Sequence, residues 1–63
     1  MDGFVVEADG SWHIVKMFDV VLKKQVMIFA CLQVRPFADA GIHKVQPLCA
    51  YTTCDVCLRF ACA

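Results

Sequence analysis

The sequence predicts a small single α+β domain in which an N-terminal β-hairpin packs on one helix and the C-terminal end is irregular and rich in cysteine. Three observations favour this fold class. An Asp9-Gly10 dipeptide separates two short apolar segments, residues 20–34 contain neither glycine nor proline, and four of the five cysteines lie in the last fifteen residues. The predicted organisation is one domain over 1–63, with a hairpin over 1–18, a helix over 19–35 and a loop with a cysteine-rich tail over 36–63.

The hairpin is predicted by Asp9-Gly10, because this dipeptide favours the type I′ turn that matches the twist of two antiparallel strands. A two-residue loop also fixes the strand register. The expected cross-strand pairs are Phe4 with Val15, Val5 with Ile14, Val6 with His13 and Glu7 with Trp12. Since an isolated hairpin is not stable in water, we expect one of its faces to pack on the next element.

The helix is predicted from its length and from its ends, where Asp19 suits an N-cap and Pro36 a stop. The many residues that favour strands are an argument against it (Val20, Val21, Val26, Ile28, Phe29 and Val34). An alternative prediction is a mainly α fold with one long helix over 11–34, whose polar stripe would be formed by His13, Lys16, Asp19 and Lys23. After Pro36, a turn is expected at 38–41.

Composition indicates that the chain covers apolar surface against a partner. It has 63 residues, of which 60% are hydrophobic and 19% charged, so a single core of this size is marginal without a metal, a disulfide or a partner. We therefore expect a protein partner, self-association or contact with a membrane interface. The six basic residues are scattered and balanced by six acidic ones, which argues against nucleic-acid binding.

The N-terminus predicts no signal peptide, because Asp2, Glu7 and Asp9 occupy the region where a secretory signal carries positive charge. An intracellular, cytoplasmic location with reduced thiols is the expectation. No spanning helix is expected either, since the longest uncharged apolar run, 26–32, is far shorter than the about 20 residues that a transmembrane helix needs.

The cysteines are the candidate metal ligands. Their spacing is Cys49-x4-Cys54-x2-Cys57-x4-Cys62, and four thiolates suit zinc or an iron–sulfur cluster. Only Cys54 and Cys57 have the spacing of a zinc knuckle, a pair that is also typical of redox sites. In a single helix the four would spread over about 220° of its circumference, so a shared site requires a loop. Disulfide pairing and simple packing in the core are the alternatives, and packing is the expectation for Cys31.

The segment Cys49-x4-Cys54-x2-Cys57 resembles the cluster-binding loop of plant-type ferredoxins. That resemblance implies a 2Fe–2S cluster held by these three cysteines and a fourth. In the ferredoxins the loop is rich in glycine and the fourth cysteine lies far downstream on another strand. Here no glycine lies between Cys49 and Cys62, and Cys62 would have to supply the fourth thiolate.

No pattern in the sequence predicts an enzyme, because the motifs of phosphate-binding loops, zinc proteases and serine hydrolases are absent. His13 and His43 have no partner at ligand spacing, so both are predicted to be solvated or strand-surface residues. The predicted function is non-catalytic binding of a larger protein or a membrane interface through apolar surface. The alternative is a thiolate metal or iron–sulfur module, and a third is a chain without a selected function.

Overall fold

In the computed structural model, which describes residues 1–38 and 41–62, the chain forms a five-stranded antiparallel sheet followed by a 3₁₀ helix and a short α-helix. The strand order across the sheet is β4-β3-β2-β1-β5. The elements are β1 (Gly3–Ala8), β2 (Ser11–Val21), β3 (Lys24–Phe29), β4 (Val34–Pro36), β5 (Ile42–Val45), the 3₁₀ helix (Leu48–Tyr51) and α1 (Asp55–Ala61).

The predicted N-terminal hairpin is confirmed with its register. Strands β1 and β2 pair Phe4 with Val15, Val5 with Ile14, Val6 with His13 and Glu7 with Trp12. The turn residues Asp9 and Gly10 have φ values of 55° and 82°, as a type I′ turn requires. On its other side β1 pairs with β5, so the hairpin lies within the sheet and its second strand continues beyond the predicted end.

The predicted α+β class and the helix over 19–35 are wrong, because the fold is mostly β. Strand β2 continues to Val21, the chain turns at Leu22 and Lys23, and β3 pairs back along β2. The same pairing rules out the alternative helix over 11–34. Both turn residues have positive φ, 52° and 64°, a conformation that usually calls for asparagine or glycine. The strand-favouring residues that argued against the helix do lie in strands. The turn that joins β2 to β3 has no recognisable sequence signal.

The segment predicted as loop and tail over 36–63 contains two further pieces of regular structure besides the 3₁₀ helix. Strand β5 is an edge strand, and α1 begins directly after Cys54 and contains Cys57. The turn predicted at 38–41 includes Asp39 and Ala40, which lie outside the described residues. Within the described ranges, no helix combines the length and apolarity needed to cross a bilayer.

The core lies between the sheet and the two C-terminal helical elements. Phe29 and Cys57 are fully buried, and the other buried apolar residues are Val5, Val6, Ile14, Val15, Met27, Ala30 and Leu48. The 3₁₀ helix packs beside β1, and the amide of Leu48 donates to the carbonyl of Met1, two residues before that strand, at 2.9 Å. A Cβ at Gly3 would lie 3.0 Å from the Leu48 side chain, so this contact requires glycine or a shift of the leucine. The C-terminal segment is thereby placed beside the central strands.

Candidate metal centre

Four side chains that can ligate a metal converge beside the start of β2. They are His13 on β2, Cys31 in the turn after β3, and Cys54 and Cys57 at the start of α1. One ligand atom from each residue lies within 4.8 Å of the other three. The His13 Nδ1 atom is 3.7 Å from the Cys31 Sγ and 3.9 Å from the Cys57 Sγ. We call this group the His13–Cys57 cluster.

The imidazole of His13 is fixed with Nδ1 toward the sulfurs. Its Nε2 lies 3.1 Å from the carbonyl oxygen of Ala8, and because a carbonyl can only accept, Nε2–H is the donor. The ring stacks on Phe29 with centroids 4.7 Å apart and an interplanar angle of 18°. His13 is only 4% exposed. The proton on Nε2 leaves the Nδ1 lone pair free for a metal, the arrangement that backbone carbonyls commonly impose on ligating histidines.

Cys31 reaches the cluster because a tight turn follows β3. The amide of Ala30 donates to the carbonyl of Ile14 at 2.9 Å, which ties the turn to β2 next to His13. The turn then closes on itself, with the amide of Leu32 donating to the carbonyl of Phe29 at 2.8 Å. Leu32 has a φ of 71°, so the chain reverses there in a left-handed conformation. Cys31 is left half-buried at the edge of the cluster.

The Cys54 and Cys57 pair is held against β2 by a three-bond clamp. The amides of Thr53 and Cys54 both donate to the carbonyl of Trp12 at 3.0 Å, and the amide of Trp12 donates to the Thr53 Oγ1 at 2.7 Å. Helix α1 then begins, with the amide of Leu58 bonding to the carbonyl of Cys54. Since Trp12 precedes His13, the clamp places the cysteine pair directly beside the imidazole.

The surroundings shift the pKa values of the two cysteines in opposite directions, up for Cys57 and down for Cys54. Burial raises the pKa of Cys57 to about 11, although the amides of Ile14 and Cys31 act in the opposite direction. Burial also acts to raise the pKa of Cys54, but the amide and thiol of Cys57, with the amide of Val56, lower it below its usual value. In the metal-free chain Cys54 therefore loses its proton more readily than Cys57, whose thiol hydrogen-bonds to it.

The sequence-predicted ligands are divided between two structures. Cys54 and Cys57 lie in the cluster, whereas Cys49 and Cys62 form a disulfide with Cα atoms 6.0 Å apart. The sulfurs of that bond are not thiolates, so the structure does not bring the four predicted ligands together. The disulfide instead closes the segment that carries the cysteine pair, linking the 3₁₀ helix to the end of α1.

Two members of the cluster, His13 and Cys31, were not predicted as ligands. His13 was expected at the surface, which is wrong because it is buried, whereas His43 is exposed on β5 as predicted. Cys31 lies 18 residues from His13, and Cys57 lies 44 residues from it, so no local spacing indicates the group. The one local signal is the C-x2-C spacing of Cys54 and Cys57.

Comparison with known proteins adds no relative to this description: no protein-family model, no curated protein and no solved structure matches the chain. The ferredoxin-like spacing is likewise without support from a matching family. Of its three cysteines, Cys49 is taken up by the disulfide. The interpretation of the site therefore rests on the geometry of the His13–Cys57 cluster.

Proposed function

We propose that the chain is a metal-binding module in which the His13–Cys57 cluster holds one zinc ion. The observation that carries the proposal is the convergence of three free thiols on an imidazole whose Nδ1 is already oriented toward them. Three cysteines and one histidine form one of the common ligand sets of structural zinc.

The distances suit a tetrahedral ion. Zinc with bonds of about 2.3 Å to sulfur and about 2.0 Å to nitrogen separates its ligand atoms by about 3.5–3.8 Å. The Nδ1–Sγ distances of 3.7 and 3.9 Å are close to this range. Ligand atoms that lie as much as 4.8 Å apart would have to approach each other by about 1 Å to bind the same ion. Side-chain rotation of the half-buried Cys31 and Cys54 can supply this approach.

A site with four protein ligands favours a structural role over catalysis. Catalytic zinc keeps a position open for water or substrate, whereas structural zinc is closed by four side chains. We therefore retain the expectation that the chain is not an enzyme. The groups around the ligands are consistent with a closed site, because the Ala8 carbonyl orients His13 and backbone amides point at the sulfurs of both Cys54 and Cys57.

An iron–sulfur cluster, the other cofactor considered from the sequence, fits less well. A 2Fe–2S cluster distributes its four protein ligands over two irons, typically as four thiolates. The structure offers three thiols, and their ligand atoms converge as they would on a single ion. A mononuclear metal is therefore the proposal.

The test is metal analysis of the full-length chain purified without oxygen, followed by titration of the metal-free chain with Co²⁺ as a spectroscopic substitute for zinc. We expect about one zinc per chain and the visible absorption of tetrahedral thiolate-bound cobalt. Cys31→Ser and Cys54→Ser should each weaken zinc binding at least about tenfold, because each removes one of four ligands.

The double variant Cys49→Ser, Cys62→Ser is the matched control, since it also removes cysteines but leaves the cluster complete. It should bind one metal with the wild-type cobalt spectrum. If the wild-type chain binds no metal while thiol counting shows that at least Cys31, Cys54 and Cys57 are reduced, the proposal is wrong. Loss of binding in the control and not in Cys31→Ser would instead assign the metal to the C-terminal cysteines alone.

A reducing, intracellular setting remains part of the proposal, because the cluster requires three thiolates. Cytosolic glutathione keeps most thiols reduced, and under these conditions the Cys49–Cys62 disulfide would be open. The control variant reproduces that state. Its predicted metal binding means that the site functions with or without the disulfide.

A further inference from the structure

The far end of the β2–β3 hairpin presents apolar side chains on both of its faces. We call residues 16–24 the hairpin arm. Met17 and Val21 alternate with Phe18 and Val20 along the strand, so they lie on opposite faces, and all four are exposed. Leu22 at the tip is 90% exposed and Val20 is 62% exposed. Phe18, at the base of the arm, packs edge-to-face against Phe4 and Phe37, whereas residues 19–24 beyond it are all exposed.

The turn at the tip carries a leucine where glycine or asparagine would be less strained. Leu22 and Lys23 have φ values of 52° and 64°, and bulky side chains rarely occupy this region. An exposed leucine at this position neither packs in the core nor favours the positive φ that the turn requires. Backbone strain retained at an exposed apolar tip is a reason to infer a function for that side chain.

The hairpin arm and the rest of the sequence carry net charges of opposite sign. The arm has three basic residues, Lys16, Lys23 and Lys24, and one acidic residue, Asp19. The remainder of the sequence has three basic and five acidic residues. A neutral chain is therefore polarised, and a negatively charged surface would attract the end that carries the apolar tip.

We propose that the hairpin arm inserts its tip into the interface of an anionic lipid bilayer. A protein partner or a second copy would cover one face of the hairpin, whereas a bilayer surrounds an inserted tip on both faces. Leu22, Val20 and Val21 would enter the acyl boundary, while Lys23 and Lys24 extend their charged ends back to the headgroups. The proposal is independent of the metal site, since the arm contributes no ligand to the His13–Cys57 cluster.

The experiment is flotation of the full-length chain with vesicles of phosphatidylcholine containing phosphatidylserine, with pure phosphatidylcholine vesicles for comparison. We expect binding to the anionic vesicles that weakens as salt is added. Leu22→Asn should weaken that binding at least about tenfold, since it removes the largest apolar group at the tip. Because asparagine tolerates positive φ, the melting temperature of this variant should be equal to or higher than that of the wild type.

Leu32→Asn is the matched control. Leu32 is also an exposed leucine with positive φ, 71°, but it lies in the turn after β3 and not on the arm. This variant should float like the wild type. The double variant Lys23→Gln, Lys24→Gln should lose about 25-fold in binding to anionic vesicles, at about fivefold per lysine.

Three results would overturn the proposal. The first is a wild-type chain that does not float with anionic vesicles. The second is equal loss of flotation in Leu22→Asn and Leu32→Asn, which would show that exposed leucines act without regard to position. The third is a wild-type dimer in plain buffer that becomes monomeric with Leu22→Asn, which would assign the arm to a second copy of the chain.

Discussion

His13 shows how the role of one residue depends on contacts that are distant in sequence. Its pairing with Val6 follows from the Asp9-Gly10 turn and was predictable. Its burial was not, because that depends on Phe29 from β3 and Cys57 from α1. Phe18 shows the converse, since this large aromatic residue is exposed on the hairpin arm. Residue type alone does not decide burial when the neighbouring strands are not known.

The buried Cys57 thiol predicts how the stability of the metal-free chain depends on pH. An unfolded cysteine has a pKa of about 8.5, and burial raises that of Cys57 to about 11. The folded chain therefore holds this proton more tightly than the unfolded chain. Its stabilising effect is complete below about pH 8.5 and is lost as the pH rises toward about 11. Thermal unfolding of the metal-free chain in oxygen-free buffer should show this decline.

The Cys57→Ala variant isolates the contribution of this thiol. It should be less stable at neutral pH because it leaves a cavity, but its melting temperature should fall less steeply than that of the wild type between about pH 8.5 and 11. Parallel curves for the two chains in this range would show that Cys57 ionises normally. With zinc bound, the pH dependence of stability has the opposite sign, because the metal displaces the thiol protons and its affinity rises with pH.

At the scale of elements, a hairpin could be predicted only where its turn residues are typical of a turn. The first hairpin was predicted with its register because Asp9-Gly10 is a standard turn dipeptide. The second was missed because Leu22-Lys23 adopts the same backbone conformation without the usual residues. With that turn unrecognised, two strands resembled one uninterrupted helix. The apolar character of the arm on both faces also concealed the alternation that identifies a strand.

Gly10 provides a test of the first hairpin. Its φ is 82° and no atom lies near the position of an added Cβ, so the cost of substitution comes from the backbone alone. Gly10→Val should destabilise the fold by about 1–3 kcal/mol. Gly10→Asn is the control, since asparagine tolerates positive φ and should cost much less. Equal denaturant midpoints for the two variants would contradict the assigned turn.

For the whole molecule, the cluster joins segments that are far apart along the chain. Residues from β2, the turn after β3 and the start of α1 meet at one point, and the Cys49–Cys62 disulfide closes the last of these segments. The sequence predicted two of the four cluster members because only Cys54 and Cys57 are close neighbours. The other two depend on a sheet whose β2–β3 pairing was not predicted. A small core gives such a cross-link a large share of the total stability.

Zinc should therefore stabilise the whole fold and not only the site. A ligand that binds the folded chain alone adds about 4 kcal/mol of stability at a thousandfold excess over its Kd. For a domain of this size we expect a rise in melting temperature of more than about 10 °C on adding zinc to the metal-free chain, reversed by a chelator. Cys54→Ser should lose at least about 1.4 kcal/mol of this stabilisation, as its tenfold weaker binding implies, whereas the control variant Cys49→Ser, Cys62→Ser should show all of it from a lower starting temperature. A zinc-dependent shift that is the same in Cys54→Ser and the wild type would mean that the metal stabilises the chain from somewhere other than the His13–Cys57 cluster.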